Sequence, residues 1–259
     1  MKKIKKIKKN ASFKTQSTEK ILSVNITTLS RSKILKLIAL RARQNKQTVI
    51  FTPNPQILLE AYRCKNAELL NLATLNIPDG VGIAIASKIK GGRIQCRVSG
   101  IDLAESILAI SEKMGYRVFL LGARRGVAKV AKQKIKERYP HIKICGTHHG
   151  YFDKFGKENK RVVRAIKGAR PDVIFVCFGY PAQEKWIIKN APDLPSVKIF
   201  IGLGGSLDVW SGKTKRAPTV FKALGIEWLY RTVTEPHRIR IFWDIPAFLF
   251  RVLRTKNDE

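Results

Sequence analysis

The side chains best suited to chemistry lie in short segments, each of which follows an apolar run. Thr52-Pro53-Asn54-Pro55 comes directly after Thr48-Val49-Ile50-Phe51. Its two prolines stiffen the loop, so the Thr52 hydroxyl and the Asn54 amide are presented rather than mobile. Both can hydrogen-bond sugar hydroxyls or phosphate oxygens, and either can equally cap the helix that follows. Pro78-Asp79-Gly80-Val81-Gly82 sets a carboxylate between a short strand and a helix. As a helix cap Asp79 stays ionised and is a weak base; in a closed apolar cleft it can take the proton of a hydroxyl. Gly179-Tyr180-Pro181-Ala182-Gln183-Glu184 puts Gln183 and Glu184 in the first turn of a helix. Free N–H groups and the helix dipole there suit a diphosphate, although Glu184 also reads as ordinary first-turn stabilisation. Gly202-Leu203-Gly204-Gly205-Ser206 lets backbone approach a phosphate, but it is neither a dinucleotide fingerprint nor a Walker A sequence. Arg97, beyond the Gly91-Gly92 turn, can pair with phosphate. Asp102 reads as a cap or a solvent-facing helix residue, and His148-His149 lacks the spacing of a metal site. The sequence contains no Asp-x-Asp, so no divalent ion on a nucleotide diphosphate is expected.

The elements that must position these residues are legible as alternating strands and helices. Strands are expected at 48–52, 75–77, 117–122, 141–145, 172–178 and 198–203. Helices are expected at about 55–72, from about Ile101, and at 126–139, 156–168 and 182–190. Apolar strands spaced by helices predict an α/β fold, a Rossmann-like and mostly parallel sheet with helices on both faces. Ligands of such sheets bind beyond the carboxyl ends of the strands, where every candidate above lies. Three regions follow: a Lys-rich flexible leader at 1–19, the core at 20–212 and a basic helical appendage at 213–259.

In the appendage, aromatic residues (Phe221, Trp228, Tyr230, Phe242, Trp243, Phe248, Phe250) interleave with Lys and Arg. Helices are expected at about 219–232 and 238–253, the second perturbed by Pro246. A basic helix with a Trp/Phe/Leu face suits an anionic lipid interface, and the alternative is a helix docked on the core. The formal charge of +31, from 50 Lys and Arg against 19 Asp and Glu, favours anionic partners: nucleic acid, lipid or phosphorylated substrates. Cys64, Cys96, Cys145 and Cys177 are scattered and read as reduced cytosolic thiols. The basic N-terminus leads into Asn10-Ala11-Ser12 rather than an apolar region, and no stretch is long enough to span a bilayer. The expectation is a soluble or peripheral protein, with self-association through the appendage's apolar face left open.

Taken in order, these segments resemble the WecG/TagA/CpsF family of glycosyltransferases from about Ile21 to Arg240. The resemblance also rests on Arg97-Val98-Ser99-Gly100-Ile101-Asp102, Lys215-Arg216-Ala217-Pro218, Gly225-Ile226-Glu227-Trp228-Leu229-Tyr230-Arg231 and Glu235-Pro236-His237-Arg238. It implies transfer with inversion from a UDP-sugar to a polyprenyl-diphosphate-linked sugar, with no metal or other cofactor. The wall teichoic acid branch of the family moves N-acetylmannosamine from UDP to undecaprenyl-diphosphate-linked N-acetylglucosamine. Other branches transfer the corresponding uronic acid or serve capsule synthesis. By resemblance Asp79 is the general base, and Thr52, Asn54, Arg97 and Gln183 line its pocket. Arg231 and Arg238 belong to an appendage that closes over the site and binds lipid diphosphate. The resemblance further implies a cytoplasmic protein, peripheral at the inner face of the bacterial membrane. Two rival readings stand beside it. A nucleic-acid-binding module fits the charge but lacks any zinc-finger, RNP or helix-turn-helix signature. A nicotinamide-dependent oxidoreductase fits the fold class but lacks the dinucleotide fingerprint.

Overall fold

The computed structural model describes residues 17–94, 97–218, 221, 227, 229–230 and 239–255, with side chains in the last stretch from Trp243 onward. The chain divides into two compact units, each assembled from separated stretches. One comprises residues up to Ser30, Thr52–Ser99 and Arg216 onward; the other comprises Arg31–Phe51 and Gly100–Lys215.

The second unit holds the α/β core. Its strands are β3 (Thr48–Phe51), β5 (Arg117–Gly122), β6 (Lys143–His148), β7 (Val173–Cys177) and β8 (Ile199–Gly202). Within this unit they form a parallel sheet in the order β3-β8-β7-β5-β6. Every residue of β3, β7 and β8 is buried, as strands covered on both faces must be. The helices flanking the sheet are α1 (Arg31–Arg43), α5 (Gly100–Met114), α6 (Val127–Arg138), α7 (Lys157–Ala169), α8 (Ala182–Asn190) and the short α9 (Ser206–Trp210). The expected α/β architecture is thus present, with β6 running 143–148 rather than 141–145.

A fully satisfied polar network fixes α8 against α7. Trp186, wholly buried, donates its indole N–H to Asn159 Oδ1 at 2.7 Å; Asn159 donates to Asn190 Oδ1 at 2.9 Å, and Asn190 donates back to the Trp186 carbonyl at 2.8 Å. Buried polar groups are tolerable only when paired in this way.

The first unit opens with a hairpin, β1 (Thr18–Ile21) and β2 (Val24–Thr27). Its two-residue turn holds Leu22 and Ser23 at φ 45° and 66°, the mirror-image turn that suits a twisted hairpin. The unit continues through α2 (Pro55–Arg63), α3 (Ala67–Asn71), β4 (Leu75–Asn76), α4 (Val81–Ile89) and the last helix, α10 (Ile239–Arg254). The helix expected at 55–72 is two helices, broken where Lys65 takes φ 54°. Asn71 and Asn76 tie the hairpin down: Asn71 accepts from Asn25 N and donates to the Ser23 carbonyl, while Asn76 donates to the Asn25 carbonyl. The α10 helix packs on α2 and α4 and buries Phe248 and Val252. The helix expected at 219–232 falls largely outside the described residues.

Candidate active site

In the first unit, two backbone hydrogen bonds join three loops that are far apart in sequence. Asp79 N donates to the Pro53 carbonyl and Val98 N donates to the Pro78 carbonyl, each at 3.0 Å. Thr52, Asn54, Asp79 and Arg97 are therefore carried on adjoining backbone. Local chemistry explains how each loop is shaped. The Asn54 side chain accepts from Ile57 N at 2.9 Å, so Asn54 caps α2, and Pro55 opens that helix where its missing N–H is harmless. Gly80, not Asp79, occupies the cap position of α4, with φ 94° and ψ 146°, a conformation that suits glycine. Asp79 thus lies one residue before the helix, half-buried. At Gly82 a Cβ would sit 2.7 Å from Pro55 Cγ, so glycine there lets the first turn of α4 rest on the first turn of α2. Arg97 is 21% exposed, with its guanidinium 3.9 Å from the Glu227 carboxylate. Arg231 and Arg238 lie outside the described residues.

In the second unit, Gln183 is 3% exposed and works on the loops around it. Its Oε1 accepts from Gly204 N at 2.9 Å and Gly179 N at 3.3 Å, and its Nε2 donates to Glu184 Oε1 at 2.9 Å. One buried amide thereby binds the loop after β7 to the glycine turn after β8.

Beside these turns lies a pocket of about 800 Å³, at the carboxyl ends of β5, β7 and β8. Arg124, Tyr151, Lys154, Phe178, Gly204 and Asp208 contribute to its lining. Lys154 Nζ sits 4.8 Å from the Phe178 ring centroid and donates to the Gly150 carbonyl at 2.7 Å, which holds a cation at the pocket wall. Tyr151 is 65% exposed; its backbone N–H donates to His149 Nδ1 at 3.2 Å, a role that requires that nitrogen to be unprotonated. Desolvation, then His148 and Arg125, holds His149 below the usual imidazole range, in keeping with that bond. Cys177 also borders the pocket, but burial pushes its thiol up to about 12, so it stays protonated near neutral pH and is a poor nucleophile.

This lining was missed from the sequence: Arg124, Tyr151, Lys154 and Asp208 belong to no motif. The one available signal was that each follows a strand end of a parallel sheet. Among the described residues no group of three or more His, Cys, Asp and Glu is arranged to hold a metal ion. Cys64, Cys145 and Cys177 are all free thiols, and Cys96 lies outside the described residues.

The sequence pattern of the Glycosyl transferase WecG/TagA/CpsF family matches residues 19–259. Among similar proteins are three N-acetylglucosaminyldiphosphoundecaprenol N-acetyl-beta-D-mannosaminyltransferases. That of Bacillus subtilis (strain 168) is 37% identical over 212 residues, 82% of this chain and 81% of the relative. That of Bacillus spizizenii is 38% identical over 215 residues, covering 83% and 82%. That of Staphylococcus aureus (strain MRSA252) is 38% identical over 209 residues, covering 80% of each. A parallel α/β sheet with its polar loops at the strand ends, and a match spanning nearly all of the described residues, lead to one conclusion: the chain belongs to the WecG/TagA/CpsF family of glycosyltransferases.

Proposed function

We propose that the protein transfers N-acetylmannosamine from UDP-N-acetylmannosamine to undecaprenyl-diphosphate-linked N-acetylglucosamine, with inversion and without a metal, in teichoic acid synthesis. The observation that carries the chemistry is the pair of backbone bonds, Pro53 to Asp79 and Pro78 to Val98, which hold a carboxylate and a guanidinium on neighbouring loops. The relatives' names support the choice of sugar and acceptor.

In this reading Asp79 takes the proton of the acceptor hydroxyl as its oxygen bonds to the anomeric carbon of the donor. The bond from that carbon to the UDP phosphate oxygen breaks on the opposite face, and UDP leaves with the electron pair. Arg97 stabilises the growing charge on phosphate. Within the second unit, the pocket lined by Arg124, Lys154 and the Gly204–Gly205 turn suits a nucleotide's phosphates. Gln183 keeps the two glycine turns in place rather than reading the sugar. Thr52, next to the Pro53 carbonyl that accepts from Asp79 N, hydrogen-bonds the sugar; Arg231 and Arg238 take the acceptor diphosphate.

Among the described residues no helix is long and apolar enough to cross a membrane. We place the protein at the inner face of the membrane, held there by α10. Its exposed Trp243, Pro246, Phe250 and Leu253 recur at helical spacing beside Arg251 and Arg254.

A donor panel with a lipid-diphosphate N-acetylglucosamine acceptor, run in EDTA, tests the reaction. UDP-N-acetylmannosamine should yield UDP and a disaccharide-lipid whose new linkage is β, as inversion of an α-linked donor requires. Product from the corresponding uronic acid alone would replace the donor, and activity abolished by EDTA would overturn the metal-free step.

A further inference from the structure

A carboxylate at the start of the chain holds the loop that carries Arg97. Glu19, on β1, accepts three hydrogen bonds through Oε2: from Ser87 Oγ at 2.8 Å, Arg93 N at 2.8 Å and Ile94 N at 3.3 Å. Ser87, wholly buried on α4, also accepts from Ile94 N at 3.0 Å through its hydroxyl and from Gly92 N at 2.8 Å through its carbonyl. Four hydrogen bonds thus converge on the turn at 92–94, three residues before Arg97, and a fifth joins Ser87 to Glu19. On the far side of Arg97 the chain is fixed again by the bond from Val98 N to the Pro78 carbonyl, next to Asp79.

Gly92 has its own reason to be glycine. A Cβ there would lie 2.1 Å from Glu19 Oε1 and 2.4 Å from its carboxyl carbon, so the carboxylate packs directly on the Gly92 Cα. Any larger residue must push the Glu19 side chain away. A carboxylate receiving backbone N–H groups makes stronger bonds than a neutral acceptor, which suits it to fix the turn at 92–94.

We propose that Glu19 is a positioning residue for Arg97: by clamping the turn at 92–94 against Ser87, it sets where the guanidinium meets the phosphate of the substrate. The proposal rests on the phosphate-binding role given to Arg97 above. The same clamp makes Gly92 part of the device, since Gly92→Ala displaces the carboxylate without removing it.

The test uses full-length protein carrying Glu19→Ala, Glu19→Gln or Gly92→Ala, each alone and with Arg97→Ala. Glu19→Ala and Gly92→Ala should each lower kcat/KM for disaccharide-lipid formation by about ten- to a hundredfold, the usual effect of misplacing a binding group by about 1 Å. Glu19→Gln, which retains one acceptor oxygen, should recover part of the loss. In the Arg97→Ala background the same changes should cost less than about twofold, because the group they position is gone. Losses that multiply with that of Arg97→Ala, or a Glu19→Ala enzyme with wild-type kcat/KM, would overturn the proposal. Amide exchange at Arg93 and Ile94 reads the clamp without any assay of transfer. If the wild type transfers no sugar, the reaction assigned above is wrong, while faster exchange at these amides in Glu19→Ala still upholds the clamp; unchanged exchange defeats it.

Discussion

Asp79 and Gln183 are both polar residues that follow a strand, yet the structure gives them opposite work. Gln183 is buried with its amide oxygen and nitrogen both engaged, so its influence passes through Gly179, Gly204 and Glu184. Asp79 is half-buried, and Gly80 relieves it of the cap position on α4. A carboxylate at a helix cap is held as the anion and is a weak base, so displacement by one residue matters for a group meant to take a proton. Sequence alone left Asp79 between cap and base; the Gly80 dihedrals show that Gly80, and not Asp79, is the cap residue of α4. For Asn54 the sequence offered both a cap and a sugar contact, and the structure shows the cap: its side-chain oxygen accepts from Ile57 N at the start of α2. Glu19 was not legible, since its partners Ser87, Arg93 and Ile94 lie 68 to 75 residues away and it sits at the edge of a Lys-rich tract.

At the scale of elements, the strands of the core were readable because both sheet faces are covered, which makes β3, β7 and β8 continuous apolar runs. The β1–β2 hairpin escaped because Leu22-Ser23 lacks the Asn-Gly or Gly-Gly signature of its turn, and tertiary ties from Asn71 and Asn76 replace local preference. The placement of α8, and with it Gln183, depends on the Trp186–Asn159–Asn190 network. Asn159→Ala strips a partner from both Trp186 and Asn190 in a site closed to water. It should therefore destabilise the protein by about 2–3 kcal/mol in denaturant unfolding, the cost of leaving buried polar groups unpaired. Asn159→Asp should not rescue it, because the carboxylate cannot donate to Asn190 Oδ1. A loss under about 0.5 kcal/mol, the range of ordinary surface substitutions, would mean the network contributes little to holding α8.

For the molecule as a whole, the charge of +31 has two sources of meaning that sequence could not separate. Family membership decides for a glycosyltransferase over a nucleic-acid module or an oxidoreductase. In the proposed membrane-bound reading the α10 helix gives the charge a use: it buries Phe248 and Val252, and exposes Trp243 at 70%, Phe250 at 56% and Leu253 at 60%. Such a face should bind vesicles containing phosphatidylglycerol and release them as salt rises, through screening of the flanking arginines. Trp243→Ala with Phe250→Ala should weaken vesicle binding by about tenfold or more while leaving unfolding stability near that of the wild type, since both side chains are already exposed. Equal binding by the double variant would place the membrane contact elsewhere. The proposed reaction rests on one carboxylate, and the most direct measurement is steady-state transfer by Asp79→Asn, which keeps shape and removes the proposed base. A fall in kcat of about a hundredfold or more, with KM for the UDP-sugar and thermal stability near wild type, is the predicted result. An Asp79→Asn enzyme that turns over within a few-fold of the wild type would contradict the assignment of Asp79 as the base.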